Sequence, residues 1–127
     1  YGGDQTRGII SYILKSLFTD RQLHFNNNGK LKRSYIHVED ASEFIAGCVL
    51  EPNLEDVYNL KGPDSFTVID LIDIIEKEFD VVFKKEFTDI RPWENINYID
   101  DSSLHNKLNL GYKYDLISYV KEVLKNN

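Results

Sequence analysis

The sequence predicts a mixed α/β fold in which amphipathic helices pack on short strands, and two observations lead to this prediction. Apolar side chains recur at helical spacing around Ile10, Phe44, Leu71 and Val120. Short apolar or alternating runs lie between these segments, and Gln22 to Phe25 is one of them. Such runs, bounded by Gly, Pro, Asn and Asp, are typical of strands. A length of 127 residues fits a single domain, and we expect one domain over residues 1–127.

The expected elements follow one another along the chain. Thr67 and Asp115 are expected to begin helices as N-caps, and Asp70 lies where an acidic residue favours a helix start. Asn26 to Gly29 is a turn by composition. The expected helices cover residues 7–18, 41–51, 67–79, 102–108 and 115–124, and the expected strands cover 22–25, 31–38, 57–60 and 81–87.

Composition and charge exclude several classes of function. The net charge of −6 argues against a nucleic-acid or anionic-membrane surface. Cys48 is the only cysteine, so no intrachain disulfide can form, and we expect a buried, inert thiol on a helix face. No apolar run approaches the roughly 20 residues of a membrane span, and the first residues have no signal-peptide pattern. We therefore expect a cytoplasmic protein.

Other chemistries have little support in the sequence. His24, His37 and His105 lack the close spacing of metal ligands, so no zinc site is expected. The acidic residues after His37 are more typical of a helix start than of a paired-carboxylate site. The tyrosines near the end of the chain are interpreted as packing residues, namely Tyr112, Tyr114 and Tyr119.

Three blocks of sequence indicate a binding function. The first is Arg33-Ser34-Tyr35-Ile36-His37-Val38-Glu39-Asp40, followed by a helix. The second is Val57-Tyr58-Asn59-Leu60-Lys61-Gly62. The third begins at Asp89-Ile90-Arg91-Pro92-Trp93-Glu94-Asn95 and continues through Asp100-Asp101-Ser102-Ser103 to Leu108-Asn109-Leu110-Gly111-Tyr112. An arginine suits phosphate recognition, because its guanidinium bonds two oxygens at once and stays charged.

Together these blocks resemble the NAD-dependent epimerase/dehydratase family, within the extended short-chain dehydrogenases. The resemblance implies the substrate-binding lobe of such an enzyme, with the Rossmann half absent. It also implies that Arg33 and Arg91 bind the diphosphate of a nucleotide sugar and that Asn59 lies beside the phosphates. For Asn59, capping of its own turn is an equally good interpretation. A surface arginine on an edge strand is the alternative for Arg33.

Two further segments resemble the same family. Tyr1-Gly2-Gly3 is similar to a Tyr-Gly-Pro turn, which makes the nearby Arg7 a candidate substrate contact. Gln22 to Asn26 is similar to the loop that packs on the nucleotide base, and this similarity adds His24 and Asn26 to the candidate residues. His24 stands where the family usually has proline and Asn26 where it has an aromatic or similar residue, so the base is unspecified. Trp93-Glu94 for a glycine and its neighbour, Leu104 for lysine and Tyr112 for tryptophan leave the substrate unspecified. Lys61 for glycine argues against a close backbone approach at its turn.

The resemblance implies NAD in a parent enzyme, but the patterns for its chemistry are missing from this chain. Gly2-Gly3 lacks the spacing and the preceding strand of a dinucleotide-binding turn. No tyrosine has a lysine four positions later, as the Tyr-x-x-x-Lys pair of the family requires. We therefore expect no cofactor binding and no catalysis by this chain alone. The resemblance of the arginine-proline pair in the third block implies a dehydratase rather than an epimerase.

We also expect association with other protein. The partners implied are the N-terminal Rossmann half of the same protein and, for the isolated chain, a second copy in a homodimer. Uncovered surfaces motivate this expectation: the strand Val57 to Leu60 and the helix face of Leu71, Ile72 and Ile75. The alternative is a free-standing, non-catalytic binding or interaction module derived from the same lobe.

Overall fold

The computed structural model describes residues 1–54, 57–88 and 100–126. Helices and strands alternate along the chain, and the mixed α/β architecture expected from the sequence is confirmed. In chain order the elements are α1 (Ile9–Leu17), β1 (Gln22–Phe25), β2 (Lys32–Tyr35), α2 (Val38–Leu50), β3 (Asp64–Thr67), α3 (Val68–Phe79), β4 (Lys84–Phe87), α4 (Ser103–Leu108) and α5 (Leu116–Lys125).

The chain divides into two compact units. Unit 1 comprises Tyr1–Gly3, Ser34–Ser65 and Tyr98–Asn127. Unit 2 comprises Asp4–Arg33 and Phe66–Asn97. Among the described residues there are two small sheets, one pairing β1 with β4 and the other pairing β2 with β3.

In unit 2, β1 and β4 are parallel, with Leu23 opposite Lys85 and Phe25 opposite Phe87. The Phe25 and Phe87 rings stack with their centroids 5.5 Å apart. Helix α1 buries one face through apolar residues at helical spacing: Ile10, Ile13, Leu14 and Leu17. Burial of this stripe is what holds so short a helix in place, since isolated helices of this length are marginal in water.

Helix α3 begins where the sequence predicts, and its apolar face is more deeply buried than the sequence predicts. The Thr67 hydroxyl accepts a hydrogen bond from the Asp70 amide at 3.0 Å, and Asp70 accepts one from the Thr67 amide at 3.2 Å. This reciprocal capping box satisfies two amides of the first turn. The expectation that Leu71, Ile72 and Ile75 are uncovered is wrong, because each is at most 1% exposed.

In unit 1, the buried carboxylate of Asp40 fixes the segment before α5. It accepts hydrogen bonds from the amides of Lys113 and Tyr114 at 3.0 and 3.1 Å. Asp115 then caps α5, as predicted, by accepting from the Ser118 amide at 2.9 Å. The core of the unit includes Phe44, Leu104, Leu116 and Val120, each at most 3% exposed.

Three strand predictions need correction. Val57 to Leu60 forms no strand, whereas Asp64–Thr67, which ends at the expected N-cap Thr67, forms β3. The strand expected over residues 31–38 ends at Tyr35, because the His37 ring caps α2 by accepting from the Glu39 amide. The strand expected from Val81 begins only at Lys84. The amides of Val81 and Phe83, which precede β4, donate to the backbone carbonyl and to the side-chain carboxylate of Glu76, so the chain turns there.

Helix α2 also departs from the expected burial. Cys48 is half-buried rather than buried, and Ile45, placed on the apolar face by its spacing, is 61% exposed. Only Phe44 of the predicted face is fully buried, at 1% exposure. Much of the apolar surface of this helix therefore faces outward. Among the described helices, none combines the length and the apolar character needed to cross a bilayer.

Candidate functional site

The first two sequence blocks meet at the turn that carries Asn59. Within unit 1, the Gly62 amide donates to the Ser34 hydroxyl oxygen at 2.7 Å. The Gly62 Cα also lies against the backbone of Tyr35, so that a Cβ at this position would lie 1.6 Å from the Tyr35 carbonyl oxygen. Only a glycine permits such an approach. The residue after Arg33 and the end of the second block are therefore in direct contact.

The third block reaches the same turn from the other side. The Asn59 side-chain amide donates to the Asp101 carboxylate at 3.2 Å, and the Lys61 ammonium pairs with Asp100. Asp101 is itself held by Ser103, whose hydroxyl and amide donate to it at 2.6 and 2.9 Å. These bonds, those from Ser103 first, lower the pKa of Asp101 below its ordinary value. Asn59 thus bonds across unit 1 rather than capping its own turn.

A hydrogen-bond relay inside unit 1 fixes the carbonyl of the same turn. The Tyr112 hydroxyl donates to the Lys61 carbonyl oxygen at 2.6 Å and contacts the His105 Nε2. Because the hydroxyl has one proton and donates it to Lys61, His105 must donate from Nε2. The Nδ1 of His105 is then the unprotonated nitrogen, and it is buried without a hydrogen-bond partner in the described structure. The relay runs from His105 through Tyr112 to Lys61.

Burial is the largest cause that lowers the pKa of His105, and the nearby Lys61 ammonium lowers it further. The Lys61 backbone and the Asp101 charge act in the opposite direction. The Phe44 ring packs on the His105 ring with the centroids 4.4 Å apart. A neutral imidazole is therefore part of the structure of this turn.

Two of the predicted arginines are described, and both belong to unit 2. Arg33 is exposed on β2, and Arg7 is exposed in the segment before α1. Within residues 1–54, 57–88 and 100–126, no carboxylate forms an ion pair with either guanidinium. Both are thus open to an anion from solution. Arg91 lies outside the described residues.

His24 and Asn26 are brought together in unit 2. The His24 Nε2 lies 3.1 Å from the Asn26 side-chain oxygen, and its Nδ1 lies 3.4 Å from the Glu86 carboxylate on β4. His24 also borders an open groove of about 760 Å³ between α1 and the β1–β4 sheet, together with Tyr12, Lys15 and Lys84. The two residues form one polar surface, while Asn59 belongs to unit 1.

Sequence reasoning missed three residues that hold the Asn59 turn: Asp101, His105 and Tyr112. His105 was set aside for lack of metal-ligand spacing, and Tyr112 was interpreted as a packing residue. The presence of Asp101 and Tyr112 in the third block was a signal for them. His105 had no local signal, because its partners lie 7 and 44 positions away at Tyr112 and Lys61.

The described residues do not suit a resident metal or dinucleotide. No group of three or more potential metal ligands lies together in the described ranges. Within the same ranges, no glycine-rich turn joins a strand to the next helix, since β2 leads to α2 through Ile36 and His37 and β3 leads directly to α3. Such a turn is what brings a helix N-terminus to a pyrophosphate.

The sequence matches no protein-family model and no curated protein sequence. Solved structures share its fold. One is dTDP-glucose 4,6-dehydratase from Bacillus anthracis in complex with NAD, with a TM-score of 0.81 and 19% identity over 98% of this chain and 40% of that chain. Another is UDP-glucuronic acid 4-epimerase from Bacillus cereus, in complex with UDP-glucuronic acid and NAD. Its TM-score is 0.77, with 19% identity over 97% of this chain and 43% of that one.

The same fold occurs in an enzyme with a different substrate. L-threonine dehydrogenase from Phytophthora infestans has a TM-score of 0.72 and 20% identity over 91% of this chain and 39% of that chain. This chain thus spans about two fifths of the length of the three structures. The comparisons confirm the fold expected from the sequence, that of the C-terminal lobe of extended short-chain dehydrogenases. They establish the fold, and the substrate has to be inferred from the side chains of the site.

Proposed function

We propose that this chain is the nucleotide-sugar-binding lobe of an NAD-dependent dehydratase or epimerase. One observation carries the proposal: segments of the three family-like sequence blocks converge on the Asn59 turn. Gly62 contacts Ser34, Asn59 bonds Asp101, and the Lys61 carbonyl accepts from Tyr112. These blocks are far apart in the sequence, and a chance likeness of short motifs would not require them to meet.

Available donors support a phosphate ligand. Arg33 offers a guanidinium that no described carboxylate neutralises, and such a group bonds two phosphate oxygens at once. Asn59 uses one amide hydrogen on Asp101, which leaves its second amide hydrogen for a ligand oxygen. Arg91, predicted from the third block, is proposed as the second arginine on the diphosphate.

His24, Asn26 and Arg7 are proposed as secondary contacts. The His24–Asn26 pair presents ring and amide groups that suit a nucleobase edge. NAD and the hydride chemistry are assigned to a longer parent protein, and this chain is proposed to bind without turnover. Within that assignment, the Arg91-Pro92 pair favours a dehydratase over an epimerase.

Calorimetric titration of the 127-residue chain tests the proposal. UDP-glucose and dTDP-glucose should bind weakly, near millimolar, which corresponds to about 4 kcal/mol. Arg33→Ala and Arg91→Ala should each weaken binding about tenfold to a hundredfold, because a charge-assisted pair contributes about 1.5–3 kcal/mol. Arg33→Lys should restore part of the loss, since an ammonium cannot form the fork.

Lys77→Ala is the matched control, because Lys77 is an exposed cation on α3 outside the predicted contacts. If Lys77→Ala weakened binding as much as Arg33→Ala, the loss of affinity would come from overall charge. Arg33 would then not be a contact of the ligand. NAD should give no heat of binding. Binding of L-threonine in place of the nucleotide sugars would contradict the proposed substrate class.

A further inference from the structure

An open cavity of about 300 Å³ lies in unit 1, between the first turn of α2 and helix α5. Its wall combines aromatic rings, carboxylates and a side-chain amide, which belong to His37, Glu39, Tyr114, Tyr119, Glu122 and Asn126. No lysine or arginine is among the described residues of this wall. None of its residues is a predicted contact of the nucleotide sugar, so the function proposed above leaves the cavity without a role.

The rings of the wall form one aromatic cluster. His37 and Tyr114 stack with their centroids 3.9 Å apart, and the Tyr119 centroid lies 5.6 Å from that of His37. A ring of this kind attracts an ammonium ion that lies over its face within about 6 Å of the centroid. The two tyrosines therefore give the cavity a surface that suits an organic cation.

Carboxylates make the same wall negative. The Tyr114 hydroxyl donates to Glu39 at 2.6 Å, and this bond is the largest cause that raises the pKa of Tyr114. Burial and the charges of Glu39, Asp40 and Glu122 raise it further. Glu122 is exposed and forms no ion pair within the described residues. Its charge is therefore available to a cation in the cavity.

A buried hydrogen-bond donor lies in the same wall. The Nδ1 of His37 accepts from the Glu39 amide at 3.2 Å, so a neutral ring carries its proton on Nε2. His37 is only 5% exposed, and its Nε2 forms no hydrogen bond within the described part of the chain. A buried donor calls for an acceptor. Because His37 lines the cavity, an oxygen atom of a ligand there would supply one.

We propose that this cavity binds a small amino alcohol, with its ammonium group against Tyr114, Tyr119 and Glu122 and its hydroxyl oxygen accepting from His37. The rings and the carboxylate select the charge, and the His37 donor selects the hydroxyl. No three metal-ligating side chains lie together among the described residues, so an organic cation suits the site better than a metal ion. The volume is sufficient, since pockets for small molecules begin at about 300 Å³.

Titration of the 127-residue chain with choline, followed by the magnetic resonance of the His37, Tyr114 and Tyr119 rings, tests the inference. Choline should bind saturably and shift these resonances. Its uncharged carbon isostere, dimethylbutanol, has the same shape and hydroxyl and should bind at least about threefold more weakly. Tetramethylammonium lacks the hydroxyl and should bind about twofold to tenfold more weakly than choline, the contribution of one hydrogen bond.

Glu122→Gln removes one charge from the wall and keeps the shape of the side chain. It should weaken choline binding about twofold to fivefold, as expected for an exposed ion pair, and leave dimethylbutanol unaffected. Asp73→Asn is the matched control, because Asp73 is an exposed acid on α3 in unit 2, and it should leave choline binding unchanged.

Equal affinities for choline and dimethylbutanol would overturn the inference, because the cavity would then select shape and not charge. An equal loss in Asp73→Asn and Glu122→Gln would also overturn it, since overall charge would explain the binding. Phosphocholine distinguishes a free amino alcohol from a lipid headgroup. Its phosphate should be repelled by Glu39 and Glu122, and tighter binding of phosphocholine than of choline would exclude the free amino alcohol as the ligand.

Discussion

The Tyr112 hydroxyl donates a 2.6 Å hydrogen bond to the carbonyl oxygen of Lys61, 51 positions earlier in the chain. This bond joins the end of the third sequence block to the turn of the second. It also determines which nitrogen of His105 carries the proton, because Tyr112 can donate only once. The orientation of Asn59 therefore depends on residues that do not themselves carry the predicted phosphate contacts.

Tyr112→Phe should lower the free energy of unfolding by about 1–2 kcal/mol, since it removes one hydrogen bond and leaves the His105 donor without its acceptor. Urea unfolding measures the change. Tyr114→Phe is the matched control, because its hydroxyl donates to Glu39 at an exposed position and should matter less. An equal loss in both variants would show that the relay adds nothing beyond an ordinary surface hydrogen bond.

The stability of the chain should fall as the pH is lowered below about 6.5, the ordinary pKa of histidine. The pKa of His105 is lowered in the folded state, mainly by burial, so the unfolded chain binds the proton more readily. Stability contributed by the neutral ring is therefore present above 6.5 and is lost between 6.5 and the lower folded pKa.

Urea midpoints measured across this pH range, with a magnetic-resonance titration of the ring, check this prediction. Lys61, Asp101 and Tyr112 are the titratable groups that act on His105, and all remain in His105→Gln. That variant keeps a donor near the Nε2 position and should flatten the pH dependence. A ring that titrates at or above 6.5 would refute the predicted direction of the shift.

Gly62→Ala should destabilise the chain by at least about 1–3 kcal/mol, the usual cost of overpacking. The new Cβ would lie 1.6 Å from the Tyr35 carbonyl oxygen, and only backbone movement can relieve that clash. Gly111→Ala is the control, since a Cβ there meets no atom within 4 Å, and its effect should stay within about 0.5 kcal/mol. Similar melting temperatures for the two variants would contradict the close approach of the first and second blocks.

Asp40→Asn should cost about 2–3 kcal/mol, because the buried carboxylate accepts from two backbone amides and the new NH2 group would face one of them. Asp73→Asn, an exposed acid on α3, serves as the control and should be nearly neutral. Thermal unfolding compares the two. Hydrogen exchange at the Lys113 and Tyr114 amides should quicken in Asp40→Asn alone.

The helices could be predicted from the sequence because the features that define them are local. Apolar spacing located α1, α3 and α5, and the side chains of Thr67 and Asp115 cap helices as predicted. The capping partners lie three positions away, so the pattern contains both halves of each interaction. The order of the three blocks was likewise sufficient to predict the fold.

What only the tertiary structure decided depends on partners that are distant in the sequence. Val57 to Leu60 has the composition of a strand, yet Asn59 bonds Asp101 and the segment forms no strand. A segment with strand propensity forms a strand only where another strand offers matching donors and acceptors. Here β2 pairs with Asp64–Thr67 and not with Val57 to Leu60. The buried state of Leu71 and the exposed state of Ile45 follow the same rule. Spacing gives the face of a helix, but the surrounding fold determines whether that face is covered.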